Sequence, residues 1–186
     1  YRSSGFSGVY IGSQAGLKSK GSGIYIGRNA GQGAENYSGG NVAIGYLSGE
    51  VFASTSDNNV FVGQQAGRYA TGSNNTFIGE QAGLGGTTSA PYSSGGNNTA
   101  LGHEALKGFT TGQYNVAIGN ESMKGTVTGD GVNVAVGHQS LASLTSGYNN
   151  VALGGNALNV STTGFSNIAI GRHSAAALVG GTMNVA

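Results

Sequence analysis

Apolar and polar residues alternate in short bursts along this chain, and the bursts recur. The clearest is Asn115-Val116-Ala117-Ile118-Gly119. The same order, Asn-[Val/Thr/Ile]-[Ala/aromatic]-[Ile/Val/Leu]-Gly, closes at Gly45, Gly63, Gly79, Gly102, Gly119, Gly137, Gly154 and Gly171. Two earlier copies close at Gly12 and Gly27 and carry Gly8 and Gly23 where the others have Asn. The closing glycines are spaced 15, 18, 18, 16, 23, 17, 18, 17 and 17 residues apart. Near-equal units of this length indicate a stack of coils, not a globule.

Branched aliphatics at the second and fourth motif positions predict a short strand in every copy. The fourth position is Ile, Val or Leu in all ten copies, so it is expected to face a dry core. Thr76 and Thr99 at the second position mark a less strictly buried column. Three residues after each closing glycine the chain always has Ala or Ser, from Ala15 to Ser174. A second short strand facing the first across a thin core would impose that restriction. Polar stretches such as Thr110-Thr111-Gly112-Gln113 return the chain to the next motif. The Asn column reads as turn chemistry, because Asn and its only replacement, Gly, both tolerate a left-handed backbone.

Two strands and two turns in about 17 residues make one coil of an all-β parallel β-roll or β-solenoid. Coils stack roughly 4.8 Å apart, so ten give a rod on the order of 50 Å long. Residues 1–186 read as a single repeat array, with both ends cut from a longer fibre. The 23-residue spacing before Gly102 marks a loop insertion over 84–96.

Two positions exchange size. Where the third motif position is aromatic (Tyr10, Tyr25, Phe61, Phe77), the residue four after the closing glycine is Gly16, Gly31, Gly67 or Gly83. Where it is Ala100, Ala117, Ala135 or Ala152, the matching residue is Leu106, Met123, Leu141 or Leu158, while coils three (Ala43, Gly49) and ten (Ala169, Ala175) break the rule. Sites that covary in this way share one space in a close-packed structure. With the third position pointing away from the coil core, the exchange is expected on an outer face. Two ancestral repeat types joined end to end would give the same pattern.

The repeats resemble the head repeats of trimeric autotransporter adhesins, which centre on Asn-Ser-Val-Ala-Ile-Gly followed by Ser or Ala. They are also similar to repeats in phage tail fibres and bacterial surface fibres. The resemblance runs from about Gly8 to Ala186. It implies a left-handed parallel β-roll assembled as a homotrimer, and attachment to a surface or receptor. This chain departs from it in its longer units and its aromatic third positions.

Composition narrows the function. The chain has 37 glycines but one proline, which excludes a collagen triple helix. Charged residues make up 8% and the net charge is +1, so there is no electrostatic footprint for nucleic acid. Cysteine is absent, which removes disulfides, thiolate metal sites and a cysteine nucleophile. No apolar run is long enough to span a bilayer, so no membrane insertion by this segment is expected.

Candidate chemistry is sparse. Gly12-Ser13-Gln14-Ala15-Gly16-Leu17-Lys18-Ser19 lacks the spacing and the ending of a phosphate loop. His103 and His138 share a coil position two layers apart, too far for one metal, and His173 reads as an exposed turn residue. Glu104 and Glu121 sit in adjacent layers beside Lys107 and Lys124, a solvated stripe rather than a catalytic pair. No cofactor, no metal and no catalytic residue is expected. The insertion is the one strong break in the period, so candidate receptor contacts are Tyr92, Pro91, Ser93 and Thr87. The expected role is a structural or adhesive segment of an extracellular, cell-surface or virion fibre that contacts a glycan or protein receptor. A spacer or filament subunit without a ligand is the alternative.

Overall fold

The computed structural model describes residues 8–19, 21–33, 39–86 and 92–186. Among these residues there are ten strands, one per motif. They are β1 (Val9–Ile11), β2 (Gly23–Ile26), β3 (Asn41–Ile44), β4 (Val60–Val62), β5 (Thr76–Ile78), β6 (Thr99–Leu101), β7 (Val116–Ile118), β8 (Val134–Val136), β9 (Val151–Leu153) and β10 (Ile168–Ile170). They pair in parallel, in chain order, as one sheet. Equivalent motif positions stack on one another, so Val116, Ala117 and Ile118 lie over Val134, Ala135 and Val136. The chain is an all-β parallel solenoid.

The return leg of each coil is not the second strand expected from the sequence. It curls, because the residues two and four after the closing glycine are left-handed: Gln65 and Gly67 (φ 57° each), Glu121 and Met123 (φ 55° and 50°). Extended backbone cannot accommodate those angles. Its amides are satisfied between layers all the same. Gly67 N–H donates to the Ala82 carbonyl at 2.9 Å, and Leu141 N–H to Ala157 at 3.0 Å. The Ala or Ser between the two left-handed residues is enclosed in the coil, as at Ala66, Ala82, Ala105 and Ser122.

The inside and outside of the sheet are reversed relative to expectation. The third motif position is the buried one: Tyr25, Ala43, Phe61, Phe77, Ala100, Ala117, Ala135, Ala152 and Ala169. The fourth position, expected in a dry core, faces outward with the second. Ile11, Ile78, Leu101 and Ile170 of the fourth column and Val9, Ile24, Thr99 and Ile168 of the second are exposed, and the other members of both columns are partly so. Side chains alternate along a strand, so Asn and the third position share the inner face.

The size exchange therefore takes place inside the coil and not on an outer face. Side chains at Gly16, Gly31, Gly67 and Gly83 would overlap the rings of Tyr10, Tyr25, Phe61 and Phe77. Rings fill the early coils as a continuous column. Tyr10 stacks on Tyr25 at 5.6 Å, Phe52 on Phe61 at 5.3 Å and Phe61 on Phe77 at 5.0 Å. Coil three has Ala43 and Gly49, and there Phe52 from the return leg supplies the ring. From β6 onward Leu106, Met123, Leu141 and Leu158 take over, all fully buried. Each is left-handed at φ 48–53°, a conformation that disfavours a side chain. Burying such a side chain returns about 1.5–3 kcal/mol, which offsets that strain.

The Asn column also has a different cause. The left-handed residue is the one before it, as at Asn58, Asn74, Asn97, Tyr114 and Asn149 (φ 55–60°). The motif Asn is buried, and its amide links layers. Asn115 Oδ1 accepts from the backbone N–H and the Nδ2 of Asn133, at 3.2 and 3.0 Å. Asn133 Nδ2 also donates to the Gly147 carbonyl at 3.0 Å. The backbone part of this chain of contacts runs Asn41, Asn59, Asn75, Asn98, Asn115, Asn133, Asn150, Asn167, Asn184. Gly23 replaces Asn because the Tyr25 ring reaches its space: a Cβ there would lie 2.7 Å from the Tyr25 oxygen. The closing glycines are fixed by close approach as well. A Cβ on Gly119 (φ 127°) would lie 2.6 Å from the Gly137 carbonyl oxygen.

Candidate binding surfaces

Two surfaces stand out from the uniform stack. The first is the outer face of the sheet. Its two columns hold Val, Ile or Leu at every layer except for Thr76 and Thr99, with no charged residue. The strip runs the length of the ten-stranded sheet, roughly 48 Å at the usual strand spacing. Contiguous exposed apolar patches of this kind are uncommon on proteins that stay monomeric. At its first three layers it widens into an open apolar trough of about 500 Å³, lined by Val9, Ile24, Val42 and Gly40. At the later layers the same flank carries exposed Tyr114, Val132, Tyr148 and Met183. The Tyr148 ring stacks on Phe165 at 4.8 Å.

The second surface surrounds the insertion. Thr87 and Pro91, two of the candidate contact residues, lie outside the described residues. Tyr92 is half-buried and lies parallel to Tyr69, with centroids 6.3 Å apart and planes 7° apart. Arg68 sits over the Tyr69 ring at 4.8 Å, and its Nε pairs with Glu50 at 2.6 Å. Tyr92 also borders a groove of about 480 Å³ with Val51, Phe52, Ser54 and Thr71. Ser93 is buried. Its hydroxyl donates to the Phe109 carbonyl at 2.9 Å, and its own carbonyl accepts from Thr71 N–H at 2.7 Å. Ser93 thus rejoins the loop to the stack, while Tyr92 stays at the surface. Tyr69, Arg68 and Glu50 were not legible as its neighbours, since only stacking of separate coils brings them together.

Polar side chains elsewhere form layer-to-layer stripes. His103 Nδ1 and the Asn120 amide are 2.9 Å apart. Glu104 pairs with Lys107 at 2.7 Å, and Glu121 with Lys124. The Lys124 hydrogen bond, helped by a 2.9 Å bond from Gln139, holds the Glu121 carboxyl below the usual glutamate range. Among the described residues no three or more His, Cys, Asp or Glu gather as a metal site. Among them, too, no helix is long and apolar enough to cross a membrane.

No protein-family model, curated protein or solved structure matches this chain.

Proposed function

We propose that this segment is a structural and adhesive part of an extracellular, cell-surface or virion fibre. Each copy is a left-handed roll, copies pack through the outer face of the sheet as a parallel homotrimer, and the 84–96 loop presents the receptor contact. The observation that carries this reading is the uncharged aliphatic strip at every layer of the sheet, which a lone chain leaves in water. A column with one branched aliphatic per layer is best matched by a column of the same repeat, and every copy of the chain carries one. The stacked Tyr69 and Tyr92 rings, the hydroxyls of Ser54 and Thr71 and the mutually paired Arg68 and Glu50 suit a glycan or a protein groove better than a charged polymer. The role is binding and support rather than catalysis.

Light scattering in solution tests the assembly. The expected molar mass is three times the 18.4 kDa chain, and a stable folded monomer overturns the reading. Binding to immobilised glycans and to host cells tests adhesion, comparing the natural chain with Tyr92→Ala and with a variant whose 84–96 loop is shortened to the normal coil. Loss of binding with the trimer intact supports the loop as the contact. A trimer that binds nothing in any form favours the spacer role.

A further inference from the structure

We infer that Thr76 and Thr99 set the axial register in which copies of this chain pack, an inference that rests on the self-association proposed above. The problem they solve comes from the repeat. The outer face offers two aliphatic columns, so sliding one copy past another by a whole layer, about 4.8 Å, recreates almost the same apolar contact. Strand surfaces without distinguishing features specify register weakly. Something aperiodic on the face has to break the degeneracy.

Only two of the twenty outward positions are polar, and they are neighbours. Thr76 on β5 and Thr99 on β6 are direct partners in the sheet register. Both side chains point outward, Thr99 exposed and Thr76 partly so. Above and below them in the same column stand Val60 and Val116. Thr matches Val in shape, so the face keeps its contour and differs only by two hydroxyls. Parallel copies related by rotation bring Thr76 to Thr76 and Thr99 to Thr99. Each hydroxyl both donates and accepts, so the group of copies can satisfy itself. A slip of two layers sets both threonines against valine and leaves every hydroxyl buried without a partner. A single polar position in an apolar seam fixes register in coiled coils by the same logic, at some expense in stability.

The position of the pair gives it a purpose. The connection between β5 and β6 is the one that carries the 84–96 insertion. A register set at these two layers holds the loops of all copies level with one another.

The test uses the absence of natural cysteine in the chain. One population carries Val116→Cys and another Val151→Cys, outward positions two layers apart on β7 and β9. The populations are refolded together, oxidised, and the disulfides sorted by mass. In register the unlike cysteines are separated by about 9.6 Å along the axis, beyond disulfide reach. With both threonines present, like should join like. In a Thr76→Val/Thr99→Val background, mixed disulfides should rise roughly tenfold or more, while Thr76→Ser/Thr99→Ser should keep the natural pattern. Like-with-like disulfides alone in the valine background would overturn the inference and leave self-association standing. Equal mixed disulfides in all backgrounds would do the same. A monomer, or an assembly in which these cysteines never join, would overturn the face-to-face packing as well.

Discussion

The Tyr25 ring occupies the space that a side chain on Gly31 would need: a Cβ there would lie 2.5 Å from Cδ1 of the ring. Phe77 and Gly83 stand in the same relation three coils further on. Gly83→Leu is therefore expected to cost about 1–3 kcal/mol or more by overpacking. Phe77→Ala alone should cost about 3–5 kcal/mol through the cavity it leaves. Together the two substitutions rebuild the Ala117–Met123 type of coil, and the double variant should lose clearly less than the sum. Denaturant melts of the four proteins measure the coupling. Strict additivity would mean that the two sites do not share one volume.

Asn115→Ala removes the acceptor for Asn133 N–H and Nδ2, and the donor to Asn98 Oδ1 at 3.1 Å. The groups left behind are buried, so a loss of about 3 kcal/mol or more is expected. Asn115→Asp should be worse, since it places a charge in the same enclosed position. Hydrogen exchange at the Asn133 backbone N–H should rise first in Asn115→Ala. Unchanged protection there would show that the amide contacts contribute nothing.

Ala117 and Ile118 are neighbours in sequence but lie on opposite faces of the sheet, and substitutions should separate core from assembly. Ala117→Trp has no room inside the coil and should unfold the stack locally. Ile118→Asp should leave the circular dichroism of a single chain intact and reduce the molar mass in solution. If Ile118→Asp remains assembled, the outer face is not where copies meet.

Glu121 supplies a small pH dependence. Its folded carboxyl ionises below the ordinary range because Lys124 and Gln139 hydrogen-bond to it. A lowered folded value means that the contribution is present at neutral pH and is lost as pH falls through and below the usual glutamate range. The site is open to solvent, so the effect should be at most a few tenths of a kcal/mol. Glu121→Gln should flatten that part of the stability curve between neutral pH and pH 3, as urea melts would show. An identical acid loss in the variant would assign it to other carboxylates.

Much of the architecture was legible in the sequence. The closing glycines marked each coil, and the alternation around Ala117 located each strand within its copy. The inside and outside were not, because alternation defines two faces without saying which is enclosed. Val116 and Ile118 are the more apolar residues, and hydrophobicity alone assigned them to the core. The decisive signal was already present in the exchange of Phe77 and Gly83 for Ala117 and Met123: partners of complementary size must share one volume, and that volume is the coil interior. Asn115 has the same parity as Ala117, so it had to face inward too. Tyr69 and Tyr92 meet only because Ser93 rejoins the stack opposite Ala70 after the insertion, and no local pattern encodes that.

The amide chain from Asn41 to Asn184 points one way throughout, each layer donating to the oxygen of the layer before it. From Asn75 to Asn184 the side-chain amides also bond in series through Nδ2, and bonds aligned in this manner polarise one another, which gives that stretch a distinct head and tail. The two coils that lack the amide, those of Tyr10 and Tyr25, sit together beyond one terminus of that line, where their omission interrupts nothing. The same tyrosine coil moved to the middle of the array would divide one cooperative unit into two, each free to open without the other.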